Sequence, residues 1–296
     1  MIGDPSVQED RSDEIPVGDR RNARVRRGIP LRAILPNAIT ALALCSGLFG
    51  MRYGIAGEWD KAVGAVVLAA VLDGLDGRIA RLLNGASRFG AELDSLSDVT
   101  AFGVAPAIIV YQFVIHWLDR GTESYEAWTR FGWLIVLAYA VCMAMRLARF
   151  NARIDVEDQP HKSAGFLTGV PAPVGAGLLL LPIYLWLASN RQWDWLGDWR
   201  LVAIWTACVA ALVISNLATF SWSSMHLRRD VRLVAIVGIA LLGAALVTAP
   251  WETLSVAALL YLATIPFSIL AYAKVKRRRA VAASTERAAE PFAPAA

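Results

Sequence analysis

Charge and cysteine are both scarce in this sequence, and each shortage narrows the class of protein. Asp, Glu, Lys and Arg make up only 18% of the 296 residues, while 56% are hydrophobic. That balance is too apolar for a soluble domain of this length and is typical of a polytopic helical membrane protein. The three cysteines, Cys45, Cys142 and Cys208, all lie within apolar runs. They are interpreted as small buried hydrophobes, which argues against a disulfide framework or a zinc site.

The excess of positive charge is small, at a formal net charge of +4. The arginines and lysines stand beside the apolar runs, where they set the orientation of a membrane protein and meet anionic lipid. The expected partners are therefore membrane lipids, and no nucleic acid is expected.

Eight apolar segments of helical length follow a polar N-terminal arm. A helix needs about 20 apolar residues to cross a bilayer. Segments of that order cover residues 34–53, 61–83, 95–118, 132–150, 171–188, 201–220, 233–248 and 253–272. We predict an all-α transmembrane bundle of about eight spans, with a six-span core in residues 34–220 and an additional pair in 221–273. The arm (1–33) and the tail (274–296) are expected to be at least partly disordered.

The distribution of positive charge predicts which side of the membrane each connection faces. Lys and Arg are dense in the arm, in every second connection and after the last span, whereas the alternate connections are more acidic and rich in tryptophan. The positive-inside rule then places both termini in the cytoplasm, which requires an even number of spans. The predicted location is the inner cell membrane.

Four aspartates lie in or beside two of these apolar segments. Asp73 and Asp76 close the second segment and are three residues apart, while Asp94 and Asp98 open the third and are four apart. Each pair shares one helix face. Carboxylates at membrane depth are costly and usually functional, and four together repel one another unless a multivalent cation neutralises them. Hard oxygen ligands favour Mg2+ or Mn2+. The alternative is that the aspartates cap helices or balance arginines.

Small and basic residues complete the pattern between the aspartates. Gly77, Ala80 and Gly90 lack bulk, so a nucleotide or a phosphate can approach the helices closely, although small residues equally serve helix packing. Arg81 can pair with phosphate oxygens. The whole spacing is D-x2-D-G-x2-A-R-x8-G-x3-D-x3-D.

This spacing resembles the signature of the CDP-alcohol phosphotransferases, integral membrane enzymes that build phospholipid head groups. All eight signature positions are filled. The resemblance implies that Asp73, Asp76 and Asp94 hold divalent metal, as two ions, and that Asp98 is a further ligand or the general base. It also implies that CDP-diacylglycerol binds at a set of four residues, namely Gly77, Ala80, Arg81 and Gly90. Homodimers are common in the family, so a homodimer is expected.

Two further stretches bear on the acceptor alcohol. RLARFN (146–151) ends the fourth segment and FLTGVPAP (166–173) opens the fifth. Together they resemble the phosphatidylserine synthase branch, which implies transfer of the phosphatidyl group from CDP-diacylglycerol to the hydroxyl of L-serine. Arg146 and Arg149 suit the serine carboxylate or a lipid phosphate, and Asn151 can hydrogen-bond either serine group. The arginines could instead simply follow the positive-inside rule.

Other functions and roles stay open at this level. A sister enzyme that uses glycerol 3-phosphate or an inositol would share the signature, and a divalent-cation transporter would also need intramembrane aspartates. The opening PNAIT of the first segment resembles many prokaryotic members of the family. Its Asn37 and Thr40 can equally serve to start a helix.

Overall fold

Helices account for most of the computed structural model, which describes residues 31–83, 85, 87–152, 166–215, 218–220 and 232–268. The predicted arm and tail lie largely or wholly outside these ranges. The helices are α1 (Leu31–Ile55), α2 (Trp59–Leu82), α3 (Arg88–Trp117), α4 (Glu123–Ala152), α5 (Ala172–Leu179), α6 (Leu181–Ala188), α7 (Trp199–Ile214), α8 (Arg232–Thr248) and α9 (Pro250–Ser268). Two short strands, β1 (Phe166–Thr168) and β2 (Ala218–Phe220), pair antiparallel.

The predicted all-α class is confirmed at this coarse level, and so is the membrane character. Among the residues that the structure describes, four stretches are long and apolar enough to cross a membrane, namely Ile34–Ile55, Arg88–Trp117, Glu123–Ala152 and Pro250–Ser268. α2 is as long as these, but it carries Asp73, Asp76 and Arg78 within its apolar part. α7 is apolar but has only 16 residues. The eight spans therefore stay a prediction.

The predicted fifth segment is two helices that meet at Leu180. Pro182 has no N–H to donate to the Leu178 carbonyl, which a continuous helix would require. The indole Nε1 of Trp205, on α7, donates to that carbonyl at 2.9 Å instead. A side chain from a neighbouring helix thus satisfies the group that the proline leaves without a donor.

The predicted sixth segment was wrong at its C-terminal limit. It was expected to reach Phe220, but α7 ends at Ile214, and residues 218–220 form β2 against β1. The chain leaves the helix because Ser215 is extended, with ψ 151°. Its hydroxyl donates to the Leu212 carbonyl at 2.6 Å, which satisfies one of the acceptors exposed at the helix end.

Small residues on α1 bring α3 unusually close to it. A methyl group at Gly47 would lie 2.7 Å from the Cα of Ala101, and one at Gly54 would lie 2.9 Å from Cγ1 of Ile109. Such spacing lets two helix backbones approach closely, as is common inside membrane proteins. These two contacts set the position of the middle and second half of α3 beside α1.

Alternation of helix direction gives the bundle two distinct ends. At one, called the site end, the start of α1 meets the end of α2 and the start of α3, and the end of α4 joins them. At the other, called the aromatic end, the rings of Trp59, Phe113, Trp117 and Trp186 pack together, with the Phe113 and Trp59 centroids 5.3 Å apart. The predicted aspartates all belong to the site end.

Candidate active site

The four aspartates come together at the site end. Asp73, Asp76 and Asp94 each offer a carboxylate oxygen, and these oxygens lie within 4.8 Å of one another. Asp76 is only 5% exposed, and the other two are half-buried. The carboxyl of Asp98 lies within hydrogen-bonding reach of that of Asp73. The pairs predicted from helical spacing therefore converge from α2 and α3.

The positions of these carboxylates within their helices do not suit a capping role. Asp73 and Asp76 lie towards the C-terminal end of α2, where the helix dipole disfavours negative charge. The cap of α3 is Ser87, whose Oγ accepts from the Gly90 N–H at 3.0 Å, and the first turn contains no acidic residue. The alternative in which Asp94 and Asp98 favour a helix N-terminus is therefore wrong.

No salt bridge joins the four aspartates to an arginine or lysine in the part of the chain that the structure describes. Within the described parts of the chain, the salt bridges are Lys61 with Glu58 and Arg191 with Asp60, and neither involves the four aspartates. Several carboxylates packed together, partly buried and without a salt bridge, favour a multivalent cation between them. The donors are all hard oxygens, so the set fits Mg2+ or Mn2+.

A threonine from α1 forms a hydrogen bond with one aspartate of the cluster. Thr40 donates its hydroxyl to Oδ2 of Asp76 at 2.6 Å, across 36 residues of sequence. Nothing local in the sequence links Thr40 to Asp76, so from the sequence alone Thr40 is only part of the opening of the first helix. The available signal was the PNAIT opening, which contains Thr40 and resembles many members of the family.

An open cleft with a volume of about 160 Å³ lies beside the cluster. It is lined by Pro36, Asn37, Thr40, Asp76, Gly77, Ala80, Gly85, Ser87, Gly90, Ala91 and Asp94. Three of the four residues predicted to contact CDP-diacylglycerol are in this lining. The fourth, Arg81, is exposed on the last turn of α2 and donates its Nε–H to the Gly77 carbonyl at 2.9 Å. That contact leaves its terminal N–H groups for other acceptors.

The two signature glycines differ in their surroundings. A methyl group at Gly77 would meet no atom of the described residues within 4 Å outside its own helix. One at Gly90 would lie 2.7 Å from Oδ1 of Asn37 and 3.1 Å from Oγ of Ser87. Gly77 thus faces open space in the cleft, whereas Gly90 permits the close packing of α3 on α1.

The residues predicted to bind serine or phosphate fall into two groups. Arg146 is half-buried on α4 and lies close enough to Asp98 for their charges to interact, with Tyr139 and Tyr261 also nearby. Arg149 donates from Nη1 to the Ile214 carbonyl at 3.2 Å, at the end of α7. Asn151 donates to Oγ of Ser95 at 2.7 Å. Arg146 thus lies near the aspartates, whereas the hydrogen bonds of Arg149 and Asn151 join α4 to α7 and α3.

The fold and the site together define a helical membrane protein with a candidate divalent-metal centre and an adjoining cleft at one end of its bundle. The family model described as CDP-alcohol phosphatidyltransferase matches residues 33–215, a range that covers nearly all of α1 to α7. A second model, CDP-alcohol phosphatidyltransferase 2, matches residues 230–266, which lie in or beside α8 and α9. The chain belongs to the CDP-alcohol phosphatidyltransferase family, and it is a transferase.

Several curated relatives carry one and the same name, CDP-diacylglycerol–serine O-phosphatidyltransferase. The relative from Mycobacterium leprae is 37% identical over 246 residues, which cover 83% of this chain and 77% of that protein. The relative from Mycobacterium tuberculosis is 34% identical over 282 residues, covering 92% of this chain and 93% of that protein. One from Saccharomyces cerevisiae is 35% identical over 151 residues, or 48% and 50% of the two chains.

Proposed function

We propose that this protein transfers the phosphatidyl group of CDP-diacylglycerol to L-serine, giving phosphatidylserine and CMP. The observation that carries the proposal is the aspartate cluster at the edge of an open cleft, with Arg146 close to Asp98. The names of the relatives and the RLARFN stretch support serine as the acceptor. The signature and the cleft support a CDP-linked lipid as the donor.

The carboxylates of Asp73, Asp76 and Asp94, with Asp98 at their side, would hold two Mg2+ or Mn2+ ions. When bound, these ions supply positive charge for the pyrophosphate and for the oxygens that gain charge in the displacement. The nucleotide half of CDP-diacylglycerol rests against Gly77, Ala80 and Gly90, and Arg81 binds a phosphate oxygen. The acyl chains stay in the bilayer.

The reaction is a substitution at the phosphorus that carries diacylglycerol. Asp98 accepts the proton of the serine hydroxyl as the serine oxygen forms a bond to that phosphorus. The bond from this phosphorus to the bridging oxygen of the pyrophosphate breaks, and CMP leaves with that oxygen. Arg146 binds the serine carboxylate through paired N–H groups. Arg149 and Asn151 are assigned to the wall of the same pocket.

The topology belongs to the same proposal. The protein would cross the inner cell membrane eight times and have both termini in the cytoplasm. The site end would then face the cytoplasm. The alternating helix directions support it, as does the arginine-rich character of the connections at that end. A homodimer is proposed from the family resemblance, and the mass of the purified protein in detergent, measured by light scattering, tests it.

The decisive functional assay offers several acceptors to one preparation. Detergent-purified protein receives CDP-diacylglycerol and either Mn2+ or Mg2+, with L-serine, glycerol 3-phosphate or an inositol as the alcohol. We expect CMP release with serine alone, and chromatography of the lipid product identifies phosphatidylserine. Turnover of another alcohol without turnover of serine would establish the sister-enzyme reading instead.

The cation-transporter alternative makes a different prediction in the same material. Protein reconstituted into proteoliposomes should release CMP from CDP-diacylglycerol and serine, and it should carry no Mn2+ across the membrane. Mn2+ flux without CMP release would favour the transporter. The full signature, with its small residues and Arg81, supports the enzyme because a permeation path needs only the carboxylates.

A further inference from the structure

The side chain of Thr40 occupies a central position among the helices that form the aspartate cluster. It is 4% exposed and donates to Oδ2 of Asp76 at 2.6 Å. Its Oγ1 also lies 3.1 Å from the carbonyl oxygen of Pro36 in its own helix. The shorter contact is to a carboxylate, and hydrogen bonds to an ionised acceptor are both shorter and stronger than neutral ones.

A second contact holds the backbone of Thr40 itself. Ser97, which is 3% exposed, donates its hydroxyl to the Thr40 carbonyl at 3.3 Å. Ser97 lies on α3 between Asp94 and Asp98, whereas Asp76 lies on α2. Thr40 therefore links the two helices that supply the carboxylates, through its side chain to one and through its carbonyl to the other.

An aspartate that accepts one hydrogen bond keeps lone pairs for a cation. The two oxygens of Asp76 together have about four lone pairs, so the carboxylate can still bind a cation while Thr40 fixes its rotation. Partners of this kind orient metal ligands, and their loss typically lowers metal affinity by about 10-fold to 100-fold. Without the hydroxyl, the Asp76 carboxylate could turn away from Asp73 and Asp94.

We propose that Thr40 is a positioning residue for the metal centre, in which its hydroxyl holds the Asp76 carboxylate towards Asp73 and Asp94. This inference rests on the proposed function, because Asp76 is taken there as a ligand. Thr40 itself contacts neither metal nor substrate in this role.

Equilibrium binding of Mn2+ alone, followed by electron paramagnetic resonance of the full-length protein in detergent, tests the proposal. Thr40→Val keeps the shape of the side chain but removes the donor, and it should weaken Mn2+ binding by about 10-fold. Thr40→Ser keeps the donor and should bind Mn2+ almost as tightly as the wild type. The matched control is Thr206→Val on α7, since Thr206 is fully buried and its hydroxyl has no partner among the described residues.

The outcomes separate this inference from the proposed function. Equal Mn2+ affinity in the wild type and Thr40→Val, both folded, would overturn the role of Thr40 and leave the metal centre intact. Absence of Mn2+ binding in the wild type would overturn both. If Thr40→Val is recovered unfolded, Thr40→Ala gives the same reading, because alanine favours the helix and cannot donate.

Discussion

The two ends of the helical bundle are lined by different kinds of side chain, aromatic rings at one end and carboxylates at the other. At the aromatic end, Phe113 is fully buried and its ring lies 5.6 Å from that of Trp186 in an edge-to-face arrangement. At the site end, half-buried or buried carboxylates face one another beside an open cleft. Aromatic packing of this type stabilises a fold, whereas grouped carboxylates cost free energy unless a cation joins them. The aromatic end therefore stabilises the fold, whereas the carboxylates of the site end lower its stability when no cation is bound.

Polar contacts follow the same division. Asp60 and Arg191 form an exposed ion pair at the aromatic end, where Arg191 also stacks on Trp186. Exposed pairs of this kind contribute little, typically below about 1 kcal/mol. The hydrogen bond from Thr40 to Asp76 is buried, and it orients a reactive group. Asp60 thus contributes little to stability, whereas Asp76 belongs to the candidate site. Substitutions at the two ends should therefore separate effects on stability from effects on chemistry.

The largest expected effect follows from removing the proposed base. Asp98→Asn should lower CMP release by about 10³-fold, because the amide cannot accept the serine proton. CDP-diacylglycerol should still bind, and the thermal unfolding temperature should stay close to that of the wild type. The matched control is Asp60→Asn at the aromatic end, which should remain active. Near-normal turnover in Asp98→Asn would show that another group is the base.

Phe113→Ala should lower the stability of the protein and leave its activity unchanged, the reverse of Asp98→Asn. Truncation of a buried phenylalanine costs about 3 kcal/mol or more of stability. Thermal unfolding in detergent should fall markedly, while turnover per folded molecule and the KM for serine stay unchanged. Phe131→Ala, at an exposed position on α4, is the control and should unfold like the wild type. If Phe113→Ala altered the KM for serine instead, the proposed separation of the two ends would not hold.

Two glycine substitutions sharpen the comparison within the site end. Gly77→Ala should stabilise α2 by up to about 1 kcal/mol, since alanine is the better helix former. The added methyl group enters the cleft, so the KM for CDP-diacylglycerol should rise by about 10-fold. In Gly90→Ala, the helix gain is offset because the methyl group displaces Asn37 and crowds the Ser87 cap. A more stable Gly77→Ala protein with an unchanged KM would argue against nucleotide binding at this position.

The smallest effects should distinguish the two arginines of α4. Arg146→Lys loses the paired N–H groups for the serine carboxylate, so the KM for serine should rise by roughly 10-fold. Arg149→Lys should leave that KM unchanged and slightly lower the unfolding temperature, because the contact with the Ile214 carbonyl weakens. Steady-state kinetics with varied serine measures both variants. Equal effects on the KM would mean that both arginines bind the acceptor.

Sequence patterns predicted the helices and the aspartate cluster well because both depend on local spacing. Long apolar runs define membrane-length helices, and intervals of three and four residues put each carboxylate pair on one helix face. The turn between α2 and α3 is short, so convergence of the two pairs could also be anticipated. The C-terminal limit of α7 could not be predicted in this way, since β2 exists only through pairing with β1, which is far away in the chain.

The finer roles of residues depend on contacts between distant segments. Thr40 and Asp76 are 36 residues apart, and Arg149 and Ile214 are 65 apart. No local periodicity reports such partners. For the same reason, the sequence could not separate Gly77 from Gly90, because the neighbour that makes Gly90 a packing residue is Asn37 on another helix.

Equilibrium binding of Mn2+ to the wild-type protein and to Asp94→Asn, with and without CDP-diacylglycerol, tests the role of the carboxylate cluster most directly. We predict two bound ions per chain in the wild type, tighter binding when the lipid is present, and loss of at least one ion in Asp94→Asn. A wild-type protein that binds no Mn2+, or an Asp94→Asn variant with unchanged binding, would contradict the account.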